Sequence, residues 1–115
     1  MMLVAVASKH GMAIDEHFGH AKKFHIYILD EGGCHLQESR DVDHYCHGQH
    51  GDQSAMQKIL HTIADCKAVF VAKIGDGPAG KLAARGIEVV SDYSWEEIES
   101  ALPQYYQQQT QEQVK

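Results

Sequence analysis

The residues of this chain best suited to chemistry are its histidines. There are nine in 115 residues, and His10, His17, His20, His25, His35, His44, His47 and His50 crowd the stretch between positions 10 and 50. Imidazole is the commonest protein ligand for metal ions, so the clustering points to a metal- or cofactor-binding face. The densest group is His44-Tyr45-Cys46-His47-Gly48-Gln49-His50. Its thiol and imidazoles suit Zn²⁺ or iron–sulfur material. Structural zinc fingers draw their ligand pairs from two separated knuckles, and this spacing is different. Cys46 as a ligand therefore needs partners from elsewhere in the fold. A second group is Asp15-Glu16-His17-Phe18-Gly19-His20. Here Gly19 signals a close backbone approach or a left-handed turn, and a His17 held beside a Phe-Gly turn makes a reasonable ligand.

A third motif, Gly75-Asp76-Gly77-Pro78-Ala79-Gly80-Lys81, matches the G-x-x-x-x-G-K phosphate loop in outline. Leu82 follows where a Mg²⁺-binding hydroxyl is required, which argues against nucleotide hydrolysis. The expected structure is a tight turn with a helix opened by Pro78, whose free N–H groups at Gly75, Asp76 and Gly77 remain available to an anion. Catalytic signals are weak. No Ser stands in a nucleophile-elbow pattern, and Asp15 and Glu16 have no evident second acid across a cleft. Cys34 and Cys66 read as small packing residues.

The elements that must position these residues follow from hydrophobic pattern. Leu3 to Ala7 and Ala68 to Ala72 are short apolar runs, expected as buried central strands. Phe24 to Leu29 is rich in β-branched and aromatic residues and reads as a strand. Asp30-Glu31-Gly32-Gly33 turns it into a returning strand from Cys34 to Asp41. Asp43 to Gln53 has no periodicity and reads as a functional loop. Met56, Ile59, Leu60 and Ile63 lie on one face of a helix capped by Asp52 or Ser54 and ending near Ala64. A helix from Pro78 stops at Gly86. Ile87 to Val90 is a last strand, and Ser94 caps a helix from Trp95 to about Tyr105. The order β-β-β-α-β-α-β-α predicts an α/β domain: a mixed sheet covered by helices.

Length and composition set the bounds. One domain fits 115 residues, with 43% hydrophobic and 23% charged content. No apolar run approaches the roughly 20 residues that span a bilayer, and no secretory signal is evident. The net charge of −6, without a basic stripe, gives nucleic-acid binding little support. Three cysteines without an export signal are expected as reduced thiols in a cytoplasm.

Several separated motifs together resemble a known family. They are Val4-Ala5-Val6-Ala7-Ser8, Asp15 through Phe24 with Tyr27, Arg40-Asp41-Val42-Asp43-His44-Tyr45-Cys46-His47-Gly48, Ile63 through Val69, Ile74-Gly75-Asp76-Gly77-Pro78, and Gly86 through Val90. In this order they resemble the nitrogenase iron–molybdenum cofactor biosynthesis family of the NifX, NafY and NifB C-terminal type, and the Tyr45-Cys46 segment is nearest to the NifB-like branch. The resemblance spans residues 3 to about 102. It implies a ribonuclease-H-like three-layer fold, with a five-stranded mixed sheet flanked by helices. It further implies a cofactor-binding domain over 1–103, leaving 104–115 as a polar, frayed tail.

What the resemblance implies for function is non-enzymatic binding and carrying of an iron–sulfur nitrogenase cofactor precursor, or of iron–molybdenum cofactor, during nitrogenase maturation. Such a protein works in the cytoplasm alongside other cofactor-assembly proteins. His17 is the position carried over as ligand. Cys46 is a natural second, supported by His44 or His47, with the Gly75, Asp76 and Gly77 segment and Lys22 or Lys23 offsetting anionic charge. The first strand carries no carboxylate, so a nuclease analogy is resisted. The radical-SAM Cys-x₃-Cys-x₂-Cys motif of NifB is missing, so the expectation is that this chain holds a cluster rather than makes one. The rival expectation is a zinc-binding or metal-sensing module built on His44 to His50.

Overall fold

The computed structural model describes residues 2–42 and 53–113. Five strands and three helices follow the expected order. They are β1 (Met2–Val6), β2 (Lys23–Asp30), β3 (Gly33–Asp41), α1 (Gln53–Thr62), β4 (Ala68–Phe70), α2 (Asp76–Ala84), β5 (Glu88–Val90) and α3 (Ile98–Gln113), with a 3₁₀ turn at Phe18–His20. They build one mixed sheet in the order β3-β2-β1-β4-β5. β1, β2 and β3 form an antiparallel meander, while β4 pairs parallel with both β1 and β5. The apolar run of β1 takes the central position, as expected of a strand buried on both faces.

Alternation along β1 divides the core into two layers. Ala5 and Ala7 face α1 and α2, packing with Phe18, Phe24, Ile26, Met56, Ile59, Ile63, Val69 and Leu82. Val4 and Val6 face α3, packing with Ile14, Leu29, Phe70, Ile98, Leu102 and Tyr105. The chain is thus three layers, helix–sheet–helix. Each large apolar side chain fully buried here contributes roughly 1.5–3 kcal/mol. On the edge strand, β2 and β3 change register between Ile26 and Tyr27, so that Gln37 has no partner across the ladder. A bulge of this kind blunts an exposed edge.

Four expectations are corrected. α2 starts at Asp76 with Gly75 as N-cap, rather than at Pro78. Pro78 is tolerated in the first turn because the N–H it lacks would be unpaired there anyway. The helix does close at Gly86, whose φ is +78°. Ile87 N–H donates to Leu82 and Gly86 N–H to Ala83, the paired bonds of a left-handed stop. Ser94 caps no helix at Trp95. Its hydroxyl donates to the Ala72 carbonyl at 2.8 Å, and α3 begins only at Ile98. The segment before α3 is taken up by pairing with the loop after β1: Ile14 N–H to Glu96, Trp95 N–H to Ile14 and Ile98 N–H to Met12, each at 2.9 Å. Finally, α3 does not fray from Gln104 but runs on to Gln113. Tyr105 fixes it, buried against Phe70 in an edge-on contact and donating its hydroxyl to the Glu88 carboxylate. Ser54 lies inside α1 rather than before it, and Asp52 falls outside the described residues.

Candidate functional site

The loops that leave the carboxyl ends of β1 and β4 are zipped together by backbone hydrogen bonds. Ala7 N–H donates to Phe70 at 2.9 Å, Ala72 N–H to Glu16 at 3.0 Å and Phe18 N–H to Lys73 at 2.9 Å. His17 and Lys73 are thereby joined in a parallel bridge. In open α/β sheets this is where ligands bind: beyond the carboxyl ends of parallel strands, at the point where the strand order changes direction. Here the chain leaves β1 on one side for the β2 meander and on the other meets β4.

A cavity of about 390 Å³ opens at that place, lined by His17, Phe18, Gly19, His20, Lys73, Ile74, Gly75 and Pro78. Its floor is Phe18, which is 1% exposed and packs against Phe24 at 5.9 Å between ring centroids. That burial pins the Phe18–His20 turn to the core. The turn is 3₁₀, closed by His20 N–H donating to the His17 carbonyl at 3.0 Å. In 3₁₀ geometry side chains three residues apart eclipse. His17 and His20 accordingly stand side by side, their rings 5.5 Å apart between centroids and tilted by only 13°.

The opposite wall comes from the β4–α2 connection. Gly75 has φ −79° and ψ 161°, and no side chain caps the helix it precedes. The amino end of α2 thus faces the cavity region with the partial positive charge of a helix start. Lys73 adds a full positive charge at the rim. Among the described residues it makes no ion pair. The site therefore offers two imidazoles, one ammonium and a helix amino end, a set suited to an anionic, metal-bearing ligand.

Of the residues singled out in the sequence, the structure brings His17 and Gly75 into one site. Asp76 and Gly77 occupy the adjoining first turn of α2, outside the lining itself. His44, Cys46 and His47 lie outside the described residues. Sequence reasoning named His20 within the Asp15–His20 group without choosing it as a ligand, and missed Lys73. His20 was legible in principle as the residue three after His17 across a turn; Lys73 reaches the site only through the loop-to-loop bridge. Lys22 and Lys23 do not line the cavity. The remaining described histidines are dispersed. His25 Nδ1 lies 2.9 Å from the Ser39 hydroxyl, and burial lowers its pKa. His35 lies 3.4 Å from Asp30. Among the described residues no group of three or more His, Cys, Asp or Glu is placed to hold one metal ion.

A second cavity, lined by Asp41, Val42, Gln57, Lys58, His61 and Thr62, flanks α1. Beside it, Arg40 donates to Glu38, to both Asp65 oxygens and to the Thr62 carbonyl at 2.7–3.1 Å. The guanidinium holds Asp65 below the ordinary carboxylate range, and burial pushes the Cys66 thiol up to about 12. Burial likewise raises the Cys34 thiol. Both are packing thiols in this fold, as expected.

The family described as dinitrogenase iron–molybdenum cofactor matches residues 1–108. Among curated proteins, the chain is similar to the FeMo cofactor biosynthesis protein NifB of Herbaspirillum seropedicae, with 42% identity over 91% of this chain and 20% of the relative. It is also similar to NifB of Bradyrhizobium diazoefficiens, with 44% identity over 87% of this chain and 20% of the relative, and to NifB of Klebsiella pneumoniae, with 40% identity over 92% and 24%. The chain thus spans about a fifth of the length of these relatives. A crystal structure from Methanocaldococcus jannaschii, described as a candidate dinitrogenase, shares the fold with a TM-score of 0.59 at 15% identity. The similarity covers 93% of this chain and 89% of that one.

Proposed function

The chain belongs to the dinitrogenase iron–molybdenum cofactor family, and on that premise we propose that it holds an iron–sulfur precursor of the nitrogenase cofactor, or the iron–molybdenum cofactor itself, as transient cargo during nitrogenase maturation. One observation carries this reading: the cavity at the carboxyl ends of β1 and β4 brings His17 to a helix amino end and Lys73. A metal–sulfide cluster is anionic and has few open coordination positions. Imidazole supplies a bond to metal, while the ammonium and backbone N–H groups offset charge. Few attachment points suit a protein that must release what it carries.

In this reading the chain binds and passes its cargo without transforming it. Cys46, with His44 or His47, supplies further ligands, a role that rests on the sequence pattern. The donor and recipient are other cofactor-assembly proteins, and the work takes place in the cytoplasm. The strand order, with an antiparallel meander joined to parallel β4 and β5, fits a ribonuclease-H-like descent for the fold.

The test is anaerobic. Metal-free protein is incubated with isolated iron–sulfur cofactor precursor and desalted, and iron, sulfide and zinc are counted per chain. Several irons co-eluting with sulfide, and their loss in His17→Ala, support the carrier. One zinc per chain and no iron overturns it in favour of a zinc module.

A further inference from the structure

Trp95 is the chain's single tryptophan, and the fold itself gives no reason for it. It is 64% exposed, so burial does not explain a large apolar side chain at this position. Its φ is +70°, the one positive value for a residue other than glycine among the described residues. Bulky side chains are disfavoured there, and such a backbone persists only where its surroundings over-determine it. They do so here. Trp95 N–H donates to the Ile14 carbonyl and Ile14 N–H to that of Glu96, both at 2.9 Å. The Ser94 hydroxyl lies 2.8 Å from the Ala72 carbonyl and 2.9 Å from that of Ser91. The main chain is fixed, and the indole it carries is left largely in solvent.

Met12 belongs to the same short antiparallel pairing, in which Ala13 bridges Glu97 and Ile98 N–H donates to the Met12 carbonyl. It is 73% exposed. Single exposed apolar residues are ordinary. Here the two most exposed large apolar residues of the described chain are carried by one rigid pairing, one of them in a left-handed backbone. Tryptophan and methionine are the side chains that interface cores favour.

The surroundings say what kind of partner fits. Positions 86–113 hold six carboxylates and no Lys or Arg. Asp92, Glu96, Glu97 and Glu99 are exposed, and among the described residues none of them makes an ion pair. In the facing loop, Lys9 is outnumbered by Asp15 and Glu16. Tyr93 registers the field: burial first, then Glu96 and Asp92, raise its phenol above the ordinary value. This rim repels nucleic acid and anionic lipid. A two-fold contact with a second copy would set the same carboxylates against each other.

We infer that Trp95 and Met12, rimmed by Asp92, Glu96, Glu97 and Glu99, form a docking surface for a different protein that presents an apolar recess bordered by Lys and Arg. The surface stands on the loops that also frame the cavity, since Ser94 bonds Ala72 beside Lys73. It does not depend on what the cavity holds.

The experiment uses the full chain and two synthetic amphipathic helical peptides with one leucine face, the polar face being lysine in one and glutamate in the other. Trp95 reports directly through its emission, and labelled-peptide anisotropy gives affinities for every variant. The lysine peptide is expected to bind, to shift the emission to the blue and to weaken as salt rises; the glutamate peptide is expected to leave the emission unchanged. Trp95→Gly and the double variant Glu96→Gln/Glu97→Gln should each weaken the lysine peptide by on the order of 10-fold, and Leu36→Ala, on β3, should leave it unchanged. Trp95→Gly should keep or raise the urea midpoint, because glycine adopts this φ freely. Equal binding by Trp95→Gly, equal binding of the glutamate peptide, or no binding of either peptide overturns the proposal. So does a marked fall in the urea midpoint of Trp95→Gly, which would give the indole a role in the fold. A blue shift that grows with protein concentration alone makes a second copy the occupant and overturns it too.

Discussion

Two corners of this molecule carry side chains of the ligating kind, and they are put together in opposite ways. Where α1 ends, Arg40 bonds Glu38, Asp65 and the Thr62 carbonyl, and Cys66 lies buried beside them. Every group there answers a neighbour, and the guanidinium also meets the negative end of the helix. At the carboxyl ends of β1 and β4, His17, His20 and Lys73 border an open cavity, and the main chain that carries them is held chiefly by backbone bonds. The first corner uses side-chain chemistry to hold α1 against β3. The second uses main-chain bonds and a buried Phe18 to hold the fold, leaving its side chains at the cavity. Residue type does not separate the two corners; what the neighbours satisfy does.

The sharpest way to break this contrast is Phe18→Ala. It empties the floor on which the histidine turn rests and should cost about 3–5 kcal/mol, read as a lowered urea midpoint, with cluster retention falling at the same time. Arg40→Ala comes next. It takes the guanidinium from the Thr62 carbonyl and the Asp65 carboxylate, but Asp65 is half-exposed and keeps the Cys66 thiol as a donor, so part of the loss is recovered and about 1 kcal/mol is expected. Cluster retention should stay at the wild-type level; a fall would join the two corners functionally and undo the contrast. His17→Ala should do the reverse, changing stability by less than about 0.5 kcal/mol while abolishing retention.

Thiol reactivity sharpens the same comparison. Cys66 is 4% exposed, with its thiol pushed up to about 12, and thiolate is the reactive form. Peptide mass spectrometry after iodoacetamide at neutral pH should find Cys66 unmodified in native protein and modified in urea. Modification at equal rates in both states would show that the Arg40 corner opens freely.

The smallest effects are those of pH. The folded pKa of His25 is lowered from 6.5. The unfolded chain thus binds the proton more readily below that value, and stability is full above 6.5 and declines as pH falls through the folded value. The folded pKa of Asp65 is lowered from 3.8, with Arg40 as the leading cause. Its contribution is full above 3.8 and disappears at still lower pH. Urea midpoints across both windows should fall in two acid steps, the lower one reduced in Arg40→Ala. A single step unaffected by that substitution would remove Asp65 from the account.

Much of the scaffold was legible beforehand because alternation and helical spacing report burial directly. β1, β2, the hairpin to β3, the buried face of α1 and the stop at Gly86 all lie where pattern put them. The start of α3 was not legible. Ser94 and Glu97 resemble a capping box, but pairing with Met12 and Ile14 pulls that segment into a bridge, and local preference yields to tertiary hydrogen bonds. His17 was legible because a His-Phe-Gly turn is local. Asp76 and Gly77 were named beside Gly75, and they sit in the adjacent helical turn rather than on the lining.

The sequence by itself determined which residues are apolar at which period, and so the sheet, its helical layers and the identity of the histidine turn. Only the tertiary structure decided which polar residues meet. Lys73 is 56 positions from His17 in the chain and adjoins it because two parallel strands end side by side. The His17–His20 pair stands on a 3₁₀ turn that the buried Phe18 and the bond from its N–H to Lys73 tie to the rest of the fold. Periodicity encodes which face of an element is dry. It carries no information about which loops come together at the end of a sheet, and that is where the candidate site lies.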